Sequence, residues 1–232
     1  MTVANNKPGK NHNQMRKRVL YVSAKSFLEK GYTLTTLKEI AGAAEISNGS
    51  LANLFKAKED ILAELVKYVI EGQFNSTYEL LKDITDDKIL TYAAETTLQL
   101  HMAESSEQIR DLYAAAYSMP ATSSIIQQMI TEKLEVIFSE LRPELDTKEL
   151  YKLEIASGGI MRGFLTIPCD MWFTMEQKVE SFLETTFLVY RVPDEKIQQT
   201  IDFVKQFNFA EIAQTVINGM LDRLEKMESD IE

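Results

Sequence analysis

The amino-acid sequence predicts an all-α protein, with an N-terminal three-helix helix-turn-helix domain followed by a larger helical domain. Three observations carry this expectation. Apolar residues recur three and four positions apart through most of the chain, the spacing that lines one face of a helix. No run alternates apolar with polar residues, so no half-buried strand is expected. Glycine (9) and proline (5) are scarce in 232 residues, and after the polar N-terminal stretch the prolines fall between periodic segments rather than inside them.

Residues 1–14 are polar and basic, contain Pro8-Gly9, and read as a flexible arm. From Met15 a helical face runs through Val19, Val22 and Phe27, with Gly31 as its stop. Thr35-Thr36 supplies a cap for a short helix over 36–44, with Leu37, Ile40 and Ala44 on one side. Glu39, three residues after Thr36, completes a capping box. Ser47 caps a second short helix that reaches about Phe55. Lys58-Glu59-Asp60 opens a long amphipathic helix with Ile61, Leu65 and Val69 beside Leu62, Val66 and Ile70. Asp86 is expected to cap a helix reaching Met102, and 106–119 is helical until Pro120. Segment 122–141 runs Ile126, Ile130, Leu134, Ile137, Leu141 and ends before Pro143, and 147–167 is stopped by Pro168. Helices over 175–191, 194–206 and 209–228 follow. The expected divisions are an arm (1–14), a helix-turn-helix domain (15–62) and a helical domain (63–232).

Composition narrows the function classes. A hydrophobic content of 45% can build a core, so the chain is not a disordered one. The net charge of −10 hides an asymmetry: residues 1–58 hold ten Lys and Arg against three acids, a net +7, so the remainder carries −17. A basic head on an acidic body suits a polyanionic partner. Cys169 is the single cysteine, which excludes an internal disulfide and fits a reducing compartment. No apolar signal segment and no apolar run of about 18 residues is visible, so a soluble cytoplasmic protein without a membrane partner is expected. The two histidines, His12 and His101, form no Glu-x-x-His pair, and there is no Gly-rich phosphate loop and no Gly-x-Ser-x-Gly. No enzyme, cofactor or metal site is therefore expected. Asp83, Asp86 and Asp87 read as turn and cap residues.

The stretch ISNGSLANLFKAKED, residues 46–60, has neither a catalytic pair nor a metal ligand. Its meaning comes from its neighbour. Two short helices separated by about three residues, after a longer one, form a helix-turn-helix, whose second helix enters the DNA major groove by its N-terminal residues. Ser47, Asn48, Gly49 and Ser50 stand there: Asn48 suits an adenine edge, and hydroxyls reach base or phosphate. The helix N-terminus attracts phosphate, and Lys56 and Lys58 add charge. The arm adds Lys7, Lys10, Arg16, Lys17 and Arg18.

From Arg16 to Leu62 the chain resembles the DNA-binding domain of the TetR family of bacterial transcriptional repressors. The residues that carry the resemblance are Ala24, Phe27, Gly31-Tyr32, Thr35-Thr36, Ile40-Ala41, Ala44, Ile46-Ser47, Gly49-Ser50-Leu51, Phe55 and Lys58 to Leu62. The resemblance implies that Thr36 caps its helix near a phosphate, that Asn48, Gly49, Ser50 and Asn53 face bases, and that Lys58 holds a phosphate. It departs from the family at Glu45, where a glycine is usual in the turn, and at Ala52 and Leu54, where aromatics usually touch phosphate. A helical dimeric sensor with degenerate DNA binding is therefore the alternative reading.

The resemblance also implies a body that binds a small effector and forms a homodimer through two C-terminal helices. A pocket is expected among segments 86–102, 106–119, 122–141 and 147–167, with His101, Met102, Tyr113, Tyr117, Met119, Phe138, Met161, Phe164 and Trp172 as candidate walls. The mid-helix Ser157, Gly158 and Gly159 suggest a seam of close helix approach, with Ile160 beside it and Phe182 and Thr186 on the partner helix 175–191, for which 209–228 is the competing candidate; a kink or helix break is the other reading.

Overall fold

The computed structural model describes residues 8–229, and among them are eleven α-helices and no strand. A head is formed by α1 (Pro8–Lys30), α2 (Leu37–Ala43) and α3 (Asn48–Leu54), and α4 (Lys58–Leu81) leads out of it. The body comprises α5 (Lys88–Glu104), α6 (Glu107–Ser118), α7 (Pro120–Ile137), α8 (Thr147–Thr166), α9 (Met175–Val189), α10 (Asp194–Val204) and α11 (Phe209–Ser229).

Local chemistry sets the boundaries in the head. The first helix ends where Gly31 takes φ +85°, and a Cβ there would lie 2.8 Å from Asp111 Oδ2, so both backbone and neighbour require glycine. The capping box on α2 is present: Glu39 N donates to Thr36 Oγ1 (3.2 Å) and Thr36 N to Glu39 Oε2 (2.9 Å). The same helix ends in a Schellman turn, with Ile46 N donating to Ala41 O (3.0 Å) and Glu45 N to Gly42 O (3.1 Å). Glu45 keeps the left-handed geometry at φ 55°. A side chain in that conformation costs about 1 kcal/mol. Ser47 caps α3 by accepting from Ser50 N (3.0 Å). Beneath these turns Phe27 packs edge-on to Tyr32 at 5.2 Å, above buried Ile40, Leu51, Phe55 and Leu62.

In the body α5 is central: α4 and α6 to α11 all pack against it. Its polar residues are therefore buried too, and Thr96 and Thr97 satisfy themselves on the carbonyls of Tyr92 (3.0 Å) and Ala93 (2.7 Å). The last helix returns to the first, and Tyr21 Oη donates to Glu225 Oε1 at 2.9 Å.

Three expectations are corrected. Residues 8–14, read as part of a flexible arm, are the first turns of α1, and residues 1–7 lie outside the described residues. The cap of α5 is Asp87, not Asp86: its Oδ1 accepts from Ile89 N (2.9 Å) and Leu90 N (3.2 Å), and Lys196 pairs with its other oxygen. The expected helix to Leu141 stops at Ile137, where Phe138 turns into the core and stacks on Tyr190 with centroids 4.5 Å apart. Pro120 both closes α6 and sits in the first turn of α7. Among the described residues no helix is long and apolar enough to cross a membrane.

Candidate nucleic-acid interface and ligand cavity

The outer face of α3 is built by periodicity. Leu51 and Leu54 are buried, which turns Asn48, Gly49, Ala52 and Asn53 to solvent, with Ser47 exposed and Ser50 half-buried at the start. The two serine hydroxyls lie 2.9 Å apart and hold each other across the first turn. Of the five expected reading residues, Ser47, Asn48, Gly49 and Ser50 thus stand at the accessible start of the helix, and Asn53 is exposed in its last turn.

Three other expected contacts are placed differently. Arg16 does not face outward: its guanidinium takes both oxygens of Glu64, donates to Leu54 O (2.8 Å) and lies 4.2 Å over the Phe55 ring. It ties the end of α3 to α4. Lys58 Nζ donates to Tyr32 O (2.7 Å) and Thr35 O (2.8 Å) and sits 4.1 Å over the Tyr32 ring. Burial lowers its pKa, and its charge closes the turn before α2 rather than facing a phosphate. Thr36 is exposed, but its hydroxyl and N–H both point at Glu39 (2.9 Å each). Lys30 bonds the same carboxylate (2.7 Å) and, with Thr36, holds its pKa down at about 2. Cations without an ion-pair partner among the described residues include half-buried Lys17 and exposed Lys38 and Lys56. Lys38 went unread in the sequence because its exposure follows only from which face of α2 packs inward.

A narrow apolar cavity of about 100 Å³ lies below the head. Its wall runs from Ala24 and Leu28 of α1 through α4, α5 and α6 to Ile126 of α7, and closes with Ile217, Met220 and Leu224 of α11. Met102, Tyr113 and Tyr117, expected as walls, line it. The other expected walls lie elsewhere. His101 stacks on Phe209 at 5.9 Å, with its pKa lowered by burial, and Phe138 is against Tyr190. Met161 is buried away from the cavity, and Phe164 packs edge-on to Phe182 at 5.8 Å. Trp172 is 80% exposed on the turn between α8 and α9. The contributions of α1, α4 and α11 were hidden because one helix pattern does not name its neighbours.

The cavity is tied to the head. Asp111 on α6 accepts from Thr33 N (2.8 Å) and Thr33 Oγ1 (2.6 Å). Behind it two acids are buried. Glu95 is pushed up to about 8 by burial and then by Glu154, and Glu154 reaches about 8 through burial against the opposing bonds of Ser157 (2.8 Å) and Tyr190 (3.3 Å).

Of the expected seam residues all but Gly159 are buried or half-buried. Ser157 Oγ lies 2.6 Å from Tyr190 Oη, Phe182 and Thr186 are buried, and Gly158 and Ile160 are half-buried. The outer face of α8 instead shows Tyr151, Ile155, Gly159 and Gly163, joined by Leu188 of α9. A Cβ on Gly159 or Gly163 would meet nothing within 4 Å.

Residues 19–65 match the family model described as bacterial regulatory proteins, tetR family. The chain is 23% identical over 199 residues to the uncharacterized HTH-type transcriptional regulator YerO of Bacillus subtilis, covering 78% of this chain and 64% of that protein. It is 32% identical over 82 residues to the HTH-type transcriptional repressor KstR2 of Rhodococcus jostii, covering 35% and 40% respectively. The chain thus spans less than two thirds of the length of these curated relatives. The crystal structure of RolR in complex with resorcinol shares the fold, with a TM-score of 0.64 at 16% identity over 83% of this chain and 95% of that one.

Proposed function

We propose, from the premise that this chain belongs to the TetR family of bacterial regulatory proteins, that it is a transcriptional repressor. It binds a two-fold DNA operator as a homodimer and is released by a small-molecule effector. The observation that carries the reading is the solvent-facing start of α3. Small residues there admit a close approach to the groove, and Asn48 and Asn53 offer both a donor and an acceptor to base edges. Lys17, Lys38 and Lys56 supply sequence-independent charge. The apolar outer face of α8 with Leu188 would pair with its copy and set the separation of two heads. A small molecule in the apolar cavity touches α1 and α6 together, and it weakens DNA binding by as much as its affinity differs between two head positions. The repressor name of the Rhodococcus relative and the ligand held by RolR support this direction.

A dimeric sensor with degenerate DNA binding is the second reading, favoured by the internal engagement of Arg16, Thr36 and Lys58. Selection of DNA from random fragments, then titration of the selected duplex at several salt concentrations, separates the two. A two-fold site whose preference relaxes in Asn48→Ala is the expected result. Weak, sequence-blind binding favours the sensor.

A further inference from the structure

The wall of the cavity below the head has a chemistry that narrows what can enter it. No Asp, Glu, Lys, Arg or His lines it. Its polar groups are Tyr68 and two amide–phenol pairs. Tyr68 Oη is already engaged with Met220 O at 3.0 Å. Gln73 Nε2 donates to Tyr113 Oη (2.5 Å) and to Met102 Sδ (3.4 Å), and Gln99 Nε2 donates to Tyr117 Oη (2.7 Å). Each amide therefore keeps a carbonyl oxygen that has no partner among the described residues, and the Tyr117 phenol keeps its own hydrogen to donate. A group that both donates and accepts completes such a pair. The acids behind the wall do not line it, and burial pushes the carboxyls of Glu95 and Glu154 up to about 8, toward the neutral form. Met102 and Met220 both line it, and their unbranched chains let a cavity of about 100 Å³ widen around a guest.

We infer that the effector of this cavity is an uncharged molecule with an apolar body and a hydroxyl group that bonds the Gln99–Tyr117 pair. The inference rests on the regulator reading for the word effector, and on the wall alone for the chemistry. A carboxylate would meet unpaired carbonyl oxygens, and an ammonium would have no carboxylate to meet. Either charge would be buried without a counter-charge.

The test uses the whole chain and four six-carbon probes with the same tail: 1-hexanol, hexane, hexanoate and hexylammonium. Binding is measured by calorimetric titration and by the shift of the unfolding temperature. Hexanol is expected to bind best, with hexane about tenfold weaker for the missing hydrogen bond and both ions more than a hundredfold weaker. Tyr117→Phe removes one hydroxyl and keeps the ring, and Gln99→Leu removes the amide. Each is expected to bring hexanol down to the level of hexane and to leave hexane unchanged, so that a folding defect shows as loss of both. Equal binding of hexanol and hexane, preference for either ion, or no binding by any probe would overturn the inference. Operator binding is measured on the same samples. If it is present while no probe binds, the ligand class fails and the repressor reading stands. If hexanol binds while operator binding is absent, the ligand class stands and the repressor reading fails.

Discussion

Glu45 shows what one residue does in the head. Its φ of 55° strains the turn between α2 and α3, while Arg18 reaches its carboxylate at 3.1 Å. Both partners are well exposed, so the pair adds little. Glu45→Gly is expected to stabilise the fold by about 1 kcal/mol, seen as a higher urea midpoint at unchanged slope. A lower midpoint would mean that the ion pair outweighs the strain. The two lysines after α3 should also separate. Lys56→Ala is expected to reduce the slope of log affinity against log salt by about 0.9. Lys58→Ala should instead lower the unfolding midpoint, because it removes the bonds to Tyr32 and Thr35. The buried acids make a pH prediction. Folding raises Glu95 and Glu154 from the ordinary carboxylate range to about 8, so the folded state binds more protons in between. Their favourable contribution is complete below about 4.5 and is lost as pH rises through 8. Stability should fall from pH 6 to pH 9, and Glu95→Gln should flatten the fall; an unchanged profile would show that Glu95 does not titrate there. At this scale the sequence exposed the caps Thr36 and Ser47, whose partners stand three residues away. It hid Arg16 and Lys58, whose partners lie 48 and 26 residues away and are decided by packing.

At the scale of elements, α8 separates what periodicity can tell from what it cannot. The apolar spacing located the helix within a residue of its ends. It did not say which stripe faced inward. Ser157 looked like a small residue at a seam, yet it is buried in a bond with Tyr190, while Ile155 and Tyr151 stand outside. Ile155→Glu is accordingly expected to leave the unfolding midpoint near that of the parent while shifting the sedimenting species from dimer to monomer. Phe182→Ala, inside the core, should cost about 3–5 kcal/mol of stability. If Ile155→Glu remains a dimer, the outer face of α8 is not the seam. The same ambiguity explains the cavity: Tyr113 and Tyr117 were legible because α6 has one strong apolar face, whereas Phe138 and Phe164 are equally apolar and belong to other packing layers.

For the whole molecule, the head and body are joined at more than the α4 connection. Asp111 holds Thr33, Tyr32 Oη donates to Met119 Sδ (3.5 Å), and α11 packs along α1. Such a latch should transmit the state of the cavity. Asp111→Ala is expected to shrink the fold-change in operator affinity caused by a bound effector, measured by titration with and without it. An undiminished fold-change would place the coupling in α4 or α11 instead. The return of α11 to α1 also has a consequence for how the protein is made. The face of α1 that carries Ala24 and Leu28 shares its cavity wall with Ile217 and Leu224, about 190 residues later in the chain. At about 5–20 residues per second on the ribosome, the first helix waits on the order of tens of seconds for its last neighbour. The end that carries the proposed reading residues is synthesised early and braced late, so a nascent chain holds those residues before it has the brace that positions them.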